Sequence, residues 1–171
     1  GPRGRIYLSP TVDAETTGRK AKPSWKPDMV LPDNTRDFKT PNYGLNTYGD
    51  LFTPRQLVAL TTLSDLVIEV REHIRKDAIN AGMDDDGNGL EVGGSGATAY
   101  AESISVYLAF VVDRCADFSN SVTRWVPGNQ KVMNLFGKQA IPMTWDYPEA
   151  ALLADTVGGF SPASQYIADC I

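Results

Sequence analysis

Apolar residues recur at three- and four-residue steps between Leu57 and Ile74, the clearest periodicity in the chain. Leu57, Leu60, Leu63, Val67, Val70 and Ile74 share one helical face, and Asp65, Glu69, Glu72, Arg75 and Lys76 lie mostly off it. The start of this helix is written locally. Thr53 is a good N-cap, Pro54 fits the first helical position, and Gln56 stands where a capping-box partner belongs. Gly82 supplies a C-terminal stop. A helix of roughly 25 residues spans about 40 Å, enough to organise a small domain. A second stripe of Tyr100, Ile104, Tyr107/Leu108, Val111, Cys115 and Phe118 predicts a helix from about Ala97 to Asn120. Two amphipathic helices joined by one loop pack as an antiparallel hairpin.

Elsewhere the pattern is weaker. Gln130 to Gln139, with Val132, Met133, Leu135 and Phe136 apolar, predicts a short helix after a turn at Trp125 and Pro127-Gly128. Ser161-Pro162 predicts the start of a last helix carrying Tyr166, Ile167 and Cys170 and still running at Ile171. Arg5 to Leu8 reads as a short strand. Residues 13–47 are punctuated by Pro23, Pro27, Pro32 and Pro41 and read as an extended strap, with Trp25, Phe38 and Tyr43 as anchors. The expected fold is mainly α: an antiparallel helix hairpin plus shorter helices, an extended N-terminal strap and at most one or two short strands. Residues 1–47 form the basic, Pro-rich strap and residues 48–171 one helical domain.

Charge changes this picture in one respect. The net charge is −5, yet residues 1–40 carry eight Lys/Arg against five Asp/Glu, and the remainder eight against sixteen. The body is a poor general phosphate binder. Arg19, Lys20, Lys22, Lys26, Arg36 and Lys39 on the strap are the candidates for touching nucleic acid, weighed against a plain solvated surface. Cys115 and Cys170 make neither a disulfide framework nor a zinc site and suggest reduced thiols in the cytoplasm. No apolar run approaches the roughly 20 residues of a membrane span, and no signal-peptide core is visible. The chain has no starting Met and reads as one domain or as a piece of a longer protein.

Few residue constellations suggest chemistry. Asp84, Asp86, Asn88 and Gly89 fit the first positions of a calcium-binding helix-loop-helix, but Glu91 and Ser95 stand where an apolar residue and the closing Glu belong. No metal ligand set is therefore assigned. His73 reads as a surface residue, and Asp113 and Asp117 as a solvated pair. Gly93-Gly94-Ser95-Gly96 lacks the context of a phosphate loop. Trp145 and Tyr147, in Ile141–Glu149, either stack on a nucleic-acid base or anchor the tail to the core.

Six segments together resemble a known family: Arg3–Thr11, Trp25–Asp28, Arg36–Gly44, Gly49–Val67, the series between Tyr107 and Trp125, and Phe136–Ala150. They are similar to the bacterial adenine-specific DNA methyltransferases that carry a zinc ribbon, several of them associated with phage-defence loci. The resemblance implies an internal fragment of an S-adenosylmethionine-dependent enzyme. The glycine-rich cofactor motif and the zinc ribbon would lie upstream, and the Asp/Asn-Pro-Pro-Tyr catalytic motif downstream. None of these occurs here, so no catalytic residue is assigned and the fragment is not expected to methylate DNA alone. The chain departs from the family after Glu149, where Ala151-Leu152-Leu153 follows in place of the usual Asn-Pro-Phe. Asp84–Gly96 falls where the family is expected to vary. Phe52-Thr53-Pro54 looks like the element that precedes a helix and touches the cofactor in many adenine methyltransferases, which makes Phe52, Thr53, Pro54 and Arg55 the cofactor-side candidates. The expected function is a scaffold segment of a DNA adenine-N6 methyltransferase, with DNA and the rest of the polypeptide as partners and no membrane contact. The alternatives are a helical protein-interaction module with no ligand and, third, the calcium-binding helix-loop-helix.

Overall fold

The computed structural model describes residues 8–171. Most of the Arg5–Leu8 strand candidate lies outside them. The order of elements is α1 (Val12–Arg19), α2 (Pro54–Asn80), α3 (Ala97–Phe118), a hairpin of β1 (Trp125–Val126) and β2 (Lys131–Val132), and α4 (Phe160–Ala168). Short 3₁₀ turns lie at Thr40–Tyr43, Tyr48–Leu51 and Leu90–Val92. Among the described residues the fold is mainly helical, as the pattern predicts, with one two-stranded antiparallel sheet.

α2 starts as its sequence dictates. The Thr53 N–H donates to Gln56 Oε1 at 2.8 Å, and the Gln56 N–H donates back to Thr53 Oγ1 at 3.4 Å. At its end the Ala81 N–H bonds to the Asp77 carbonyl, and Gly82 takes a left-handed φ of 93°. The loop then returns to α3 through a cap that the loop itself supplies. Asp85 accepts the Thr98 N–H at 3.0 Å and the Arg75 guanidinium at 2.8 Å. Bonding to Thr98 leads the causes that hold this carboxyl down at about 2, against some burial. Arg71 and the Leu90 N–H both reach Glu102, closing the same end of the hairpin.

Two clusters form the interior. In the first, Leu60, Val111, Val112, Cys115, Leu152 and Ala163 pack α2, α3 and α4 together. Burial pushes the Cys115 thiol up to about 11, opposed by the Arg114 charge. In the second, Leu31, Leu51, Val122, Leu135 and Ile141 join segments that are almost all loop. Phe52 packs against both.

The strap is tied down strand-like. The Leu31 N–H bonds to Asn46 O, Tyr48 N–H to Met29 O and Gly49 N–H to Pro27 O. A Cβ at Gly49 would stand 2.4 Å from the Pro27 carbonyl oxygen, so only glycine permits this approach. Lys26 Nζ reaches Asp50 Oδ1 at 3.1 Å, while the Asn46 and Thr47 N–H groups bond to Oδ2. Burial raises the Asp50 carboxyl, but the Thr47 N–H, Lys26 and the remaining donors outweigh it and bring it to about 2.

Several expectations need correction. The strap contains a helix, α1, whose start is capped by Thr11 Oγ1 and which carries an Arg19–Glu15 pair. It buries no residue and so shows no apolar stripe to read. Gln130–Gln139 is not a helix. Gln130 adopts φ 48° and turns the chain into the β hairpin, and Val132 and Leu135 are buried from extended or irregular backbone. Tyr100 is exposed. Ala97, Ala99 and Ala101 are the buried residues at that end of α3. α4 starts at Phe160 with Gly159 as its N-cap and ends at Ala168, leaving Cys170 beyond it. Trp25 and Tyr43 are exposed rather than anchoring, whereas Phe38 does pack on the second cluster.

Candidate functional site

The strap and the tail meet along Ile141. The Lys39 N–H bonds to the Ile141 carbonyl at 3.1 Å, and the Ile141 N–H bonds to Asp37 O at 2.9 Å. Thr40–Tyr43 then turns tightly, and Tyr43 meets Trp145 edge to face with centroids 5.0 Å apart. Trp145 remains 72% exposed. One edge-to-face contact does not bury an indole, so the core-anchor alternative for Trp145 is not what is observed. Tyr147 is half-buried. Tyr43 and Trp145 thus stand together although about a hundred residues separate them in the chain, and Lys39 is exposed and joins this junction through its backbone N–H.

The other basic candidates scatter. Arg19 is held by Glu15 and Lys26 by Asp50, which reduces their charge toward an outside anion. Lys20, Lys22 and Arg36 are exposed at separate points of the strap.

The start of α2 is occupied from within the chain. Arg55 Nε donates to Glu149 Oε2 at 2.6 Å, and Thr53 Oγ1 donates to Glu149 Oε1 at 3.3 Å. Bonding to Glu149 raises the Arg55 pKa above its ordinary value. The first turn of a helix presents unpaired N–H groups and a positive dipole end, and here a carboxylate meets it. Pro54 is exposed, and Phe52 belongs to the interior between the two clusters. Of the four cofactor-side candidates, Thr53 and Arg55 are brought together on one carboxylate. Phe52 serves packing.

The acidic loop has structural work for its oxygens. Asp85 serves Thr98, Gly87 and Arg75, and Asp86 accepts the Asn88 N–H. Asp117 accepts the Phe136 N–H at 2.6 Å and so fixes the chain after β2 rather than pairing with Asp113. His73 is exposed on α2. Among the described residues no three His, Cys, Asp or Glu side chains group as a metal site.

Two features escaped the sequence. A cleft of about 640 Å3 opens between the β hairpin and the segment leading to Trp145, lined in part by Thr123, Arg124, Asn134 and Lys138. An apolar groove of about 310 Å3 runs between α2 and α3, lined by Leu63, Leu66, Val67, Val70, Leu108 and Phe160. The one trace of the first in the sequence is that residues 121–145 contain no Asp or Glu. The second shows only once the outer half of the hairpin is seen to lack a third layer. Among the described residues no helix is long and apolar enough to cross a membrane. No family model, no curated protein and no solved structure matches the chain.

Proposed function

We propose that this chain is the nucleic-acid-contacting scaffold segment of an S-adenosylmethionine-dependent DNA adenine-N6 methyltransferase, with the glycine-rich and catalytic motifs elsewhere in the same polypeptide. The observation that carries the reading is Trp145, 72% exposed and packed edge to face on Tyr43 of the strap. An exposed indole held by a second ring is suited to stack on an unpaired base. Adenine must leave the duplex for its exocyclic nitrogen to be methylated, so such an enzyme needs stacking surfaces for unpaired bases. The cofactor supplies the methyl group. The Thr53–Arg55 end of α2 already holds one carboxylate, Glu149's, and its donors suit the methionine carboxylate of the cofactor equally well.

The test is titration of the chain with a fluorescein-labelled single-stranded deoxyoligonucleotide at low and moderate salt, read by anisotropy and by tryptophan quenching. Binding is expected to weaken as salt rises. Trp145→Ala should weaken it by about 1–3 kcal/mol, and Trp145→Phe by less. Absence of binding at low salt sinks the reading.

A second reading, a helical protein-interaction module, is favoured by the apolar groove between α2 and α3 and by Ile68, Val106 and Phe110 exposed on the same two helices. It predicts no DNA binding at any salt concentration.

A further inference from the structure

The cleft beside the β hairpin has the size of a small-ligand site, about 640 Å3. Its charge runs against that of the protein. Ser121 to Trp145 contains Arg124, Lys131 and Lys138 and no Asp or Glu, although residues 41–171 as a whole carry a surplus of eight acids. Arg124 and Lys138 line the cleft, are exposed, and have no carboxylate partner among the described residues. Two cations of the strap, Arg19 and Lys26, are by contrast already paired. Thr123 also lines the cleft. It is 1% exposed, and its hydroxyl has no hydrogen-bond partner. A buried hydroxyl without a partner is costly to the folded chain and suits a site whose partner arrives with a ligand. Finally, Trp145 directly follows the lining residue Thr144, so the Tyr43–Trp145 pair adjoins the cleft.

We propose that this cleft takes a nucleotide of a single DNA strand. Arg124 and Lys138 hold the flanking phosphates, Thr123 Oγ1 bonds the seated nucleotide, and the neighbouring base stacks on Trp145. The proposal rests on the nucleic-acid reading above and places the main contact in residues 121–145, away from most of the strap cations.

The test compares four forms of the full chain, including Trp145→Ala, against the same labelled single strand. The wild type should bind. Arg124→Ala with Lys138→Ala should weaken binding on the order of tenfold at 0.1 M salt and lower the salt slope by about 0.7 for each phosphate that is no longer neutralised. Thr123→Val keeps the shape and removes the hydroxyl. It should weaken binding about two- to tenfold, the loss of one net hydrogen bond, without lowering the melting temperature. A hydroxyl with a purely structural role would lower the melting temperature instead. If the double variant and Thr123→Val both bind like wild type while Trp145→Ala loses affinity, the cleft proposal is overturned and the nucleic-acid reading stands. If wild type does not bind, both fall.

Discussion

The helical cluster and the loop cluster are held together differently. The first draws Leu60, Val111, Val112 and Cys115 from two long helices, several from adjacent turns of one face. The second takes Leu31 from the strap, Leu51 from a 3₁₀ turn, Val122 from beyond α3, Leu135 from beyond β2 and Ile141 from the tail. Each segment contributes one buried apolar side chain, with Phe38, Leu45, Tyr48 and Phe52 half-buried against them. What fixes the loop cluster is hydrogen bonding across those segments. Leu51 O accepts both the Ser121 N–H at 2.7 Å and Ser121 Oγ at 2.8 Å, and Asp117 holds Leu135 and Phe136 through their N–H groups. A helix satisfies its own backbone and needs packing only on one face. A loop layer must find partners for its backbone from distant residues, so its order depends on many single contacts. The candidate interface lies on that second layer.

The largest perturbation of this contrast is expected from Leu51→Ala. Leu51 is fully buried at the centre of the loop cluster, and its truncation should cost about 2–5 kcal/mol. All three tryptophans, Trp25, Trp125 and Trp145, lie outside α2, α3 and α4. In Leu51→Ala, the tryptophan fluorescence transition in urea should therefore move ahead of the helical circular-dichroism transition. Coincident transitions would show that the two clusters unfold as one unit and would end the comparison.

Acid should separate the layers next. The Asp50 carboxyl sits at about 2 in the folded protein, below an unfolded value of about 4. Its contribution is present above pH ~4 and is lost as pH falls through that value towards 2, on the order of 1–2 kcal/mol. Asp50 binds Lys26 and the turn at Asn46–Thr47, so the loss falls on the strap. Fluorescence should respond to acid before the helical signal does. The Asp50→Asn variant should show a flatter acid limb, and a limb unchanged by this substitution would assign the effect to other carboxylates.

Glu149→Gln should have the smallest effect. The Arg55–Glu149 pair is about half exposed on the arginine side, so its loss should cost at most about 1 kcal/mol. Calorimetric titration with S-adenosylmethionine makes this variant informative, because removing the carboxylate clears the start of α2 for the cofactor's own. Tighter binding in Glu149→Gln supports a cofactor contact at Thr53 and Arg55. Equal or absent heat in both forms leaves α2 as scaffold.

The cleft shows how a site is missed. Its cations, Arg124 and Lys138, are fourteen residues apart in a stretch that reads as a turn and a helix. A helix there would have carried Lys131 and Lys138 on its surface, with no cleft. The left-handed Gln130 turned that stretch back on itself and brought the residues around one opening. The Tyr43–Trp145 pair was equally out of reach, because it joins the strap to the tail, which meet through the Lys39–Ile141 backbone bond.

The sequence alone determined α2, its cap at Thr53 and stop at Gly82, the extent of α3 and the hairpin between them. These rest on residues within one helical turn of each other, and their physics is complete locally. Tertiary structure alone decided where the strap lies, which alanines of α3 are buried, and that Glu149 closes the start of α2. It also decided that Thr123, Arg124 and Lys138 share a cleft. Those outcomes depend on backbone groups finding distant partners and on close approach at Gly49, and neither leaves a period in the chain.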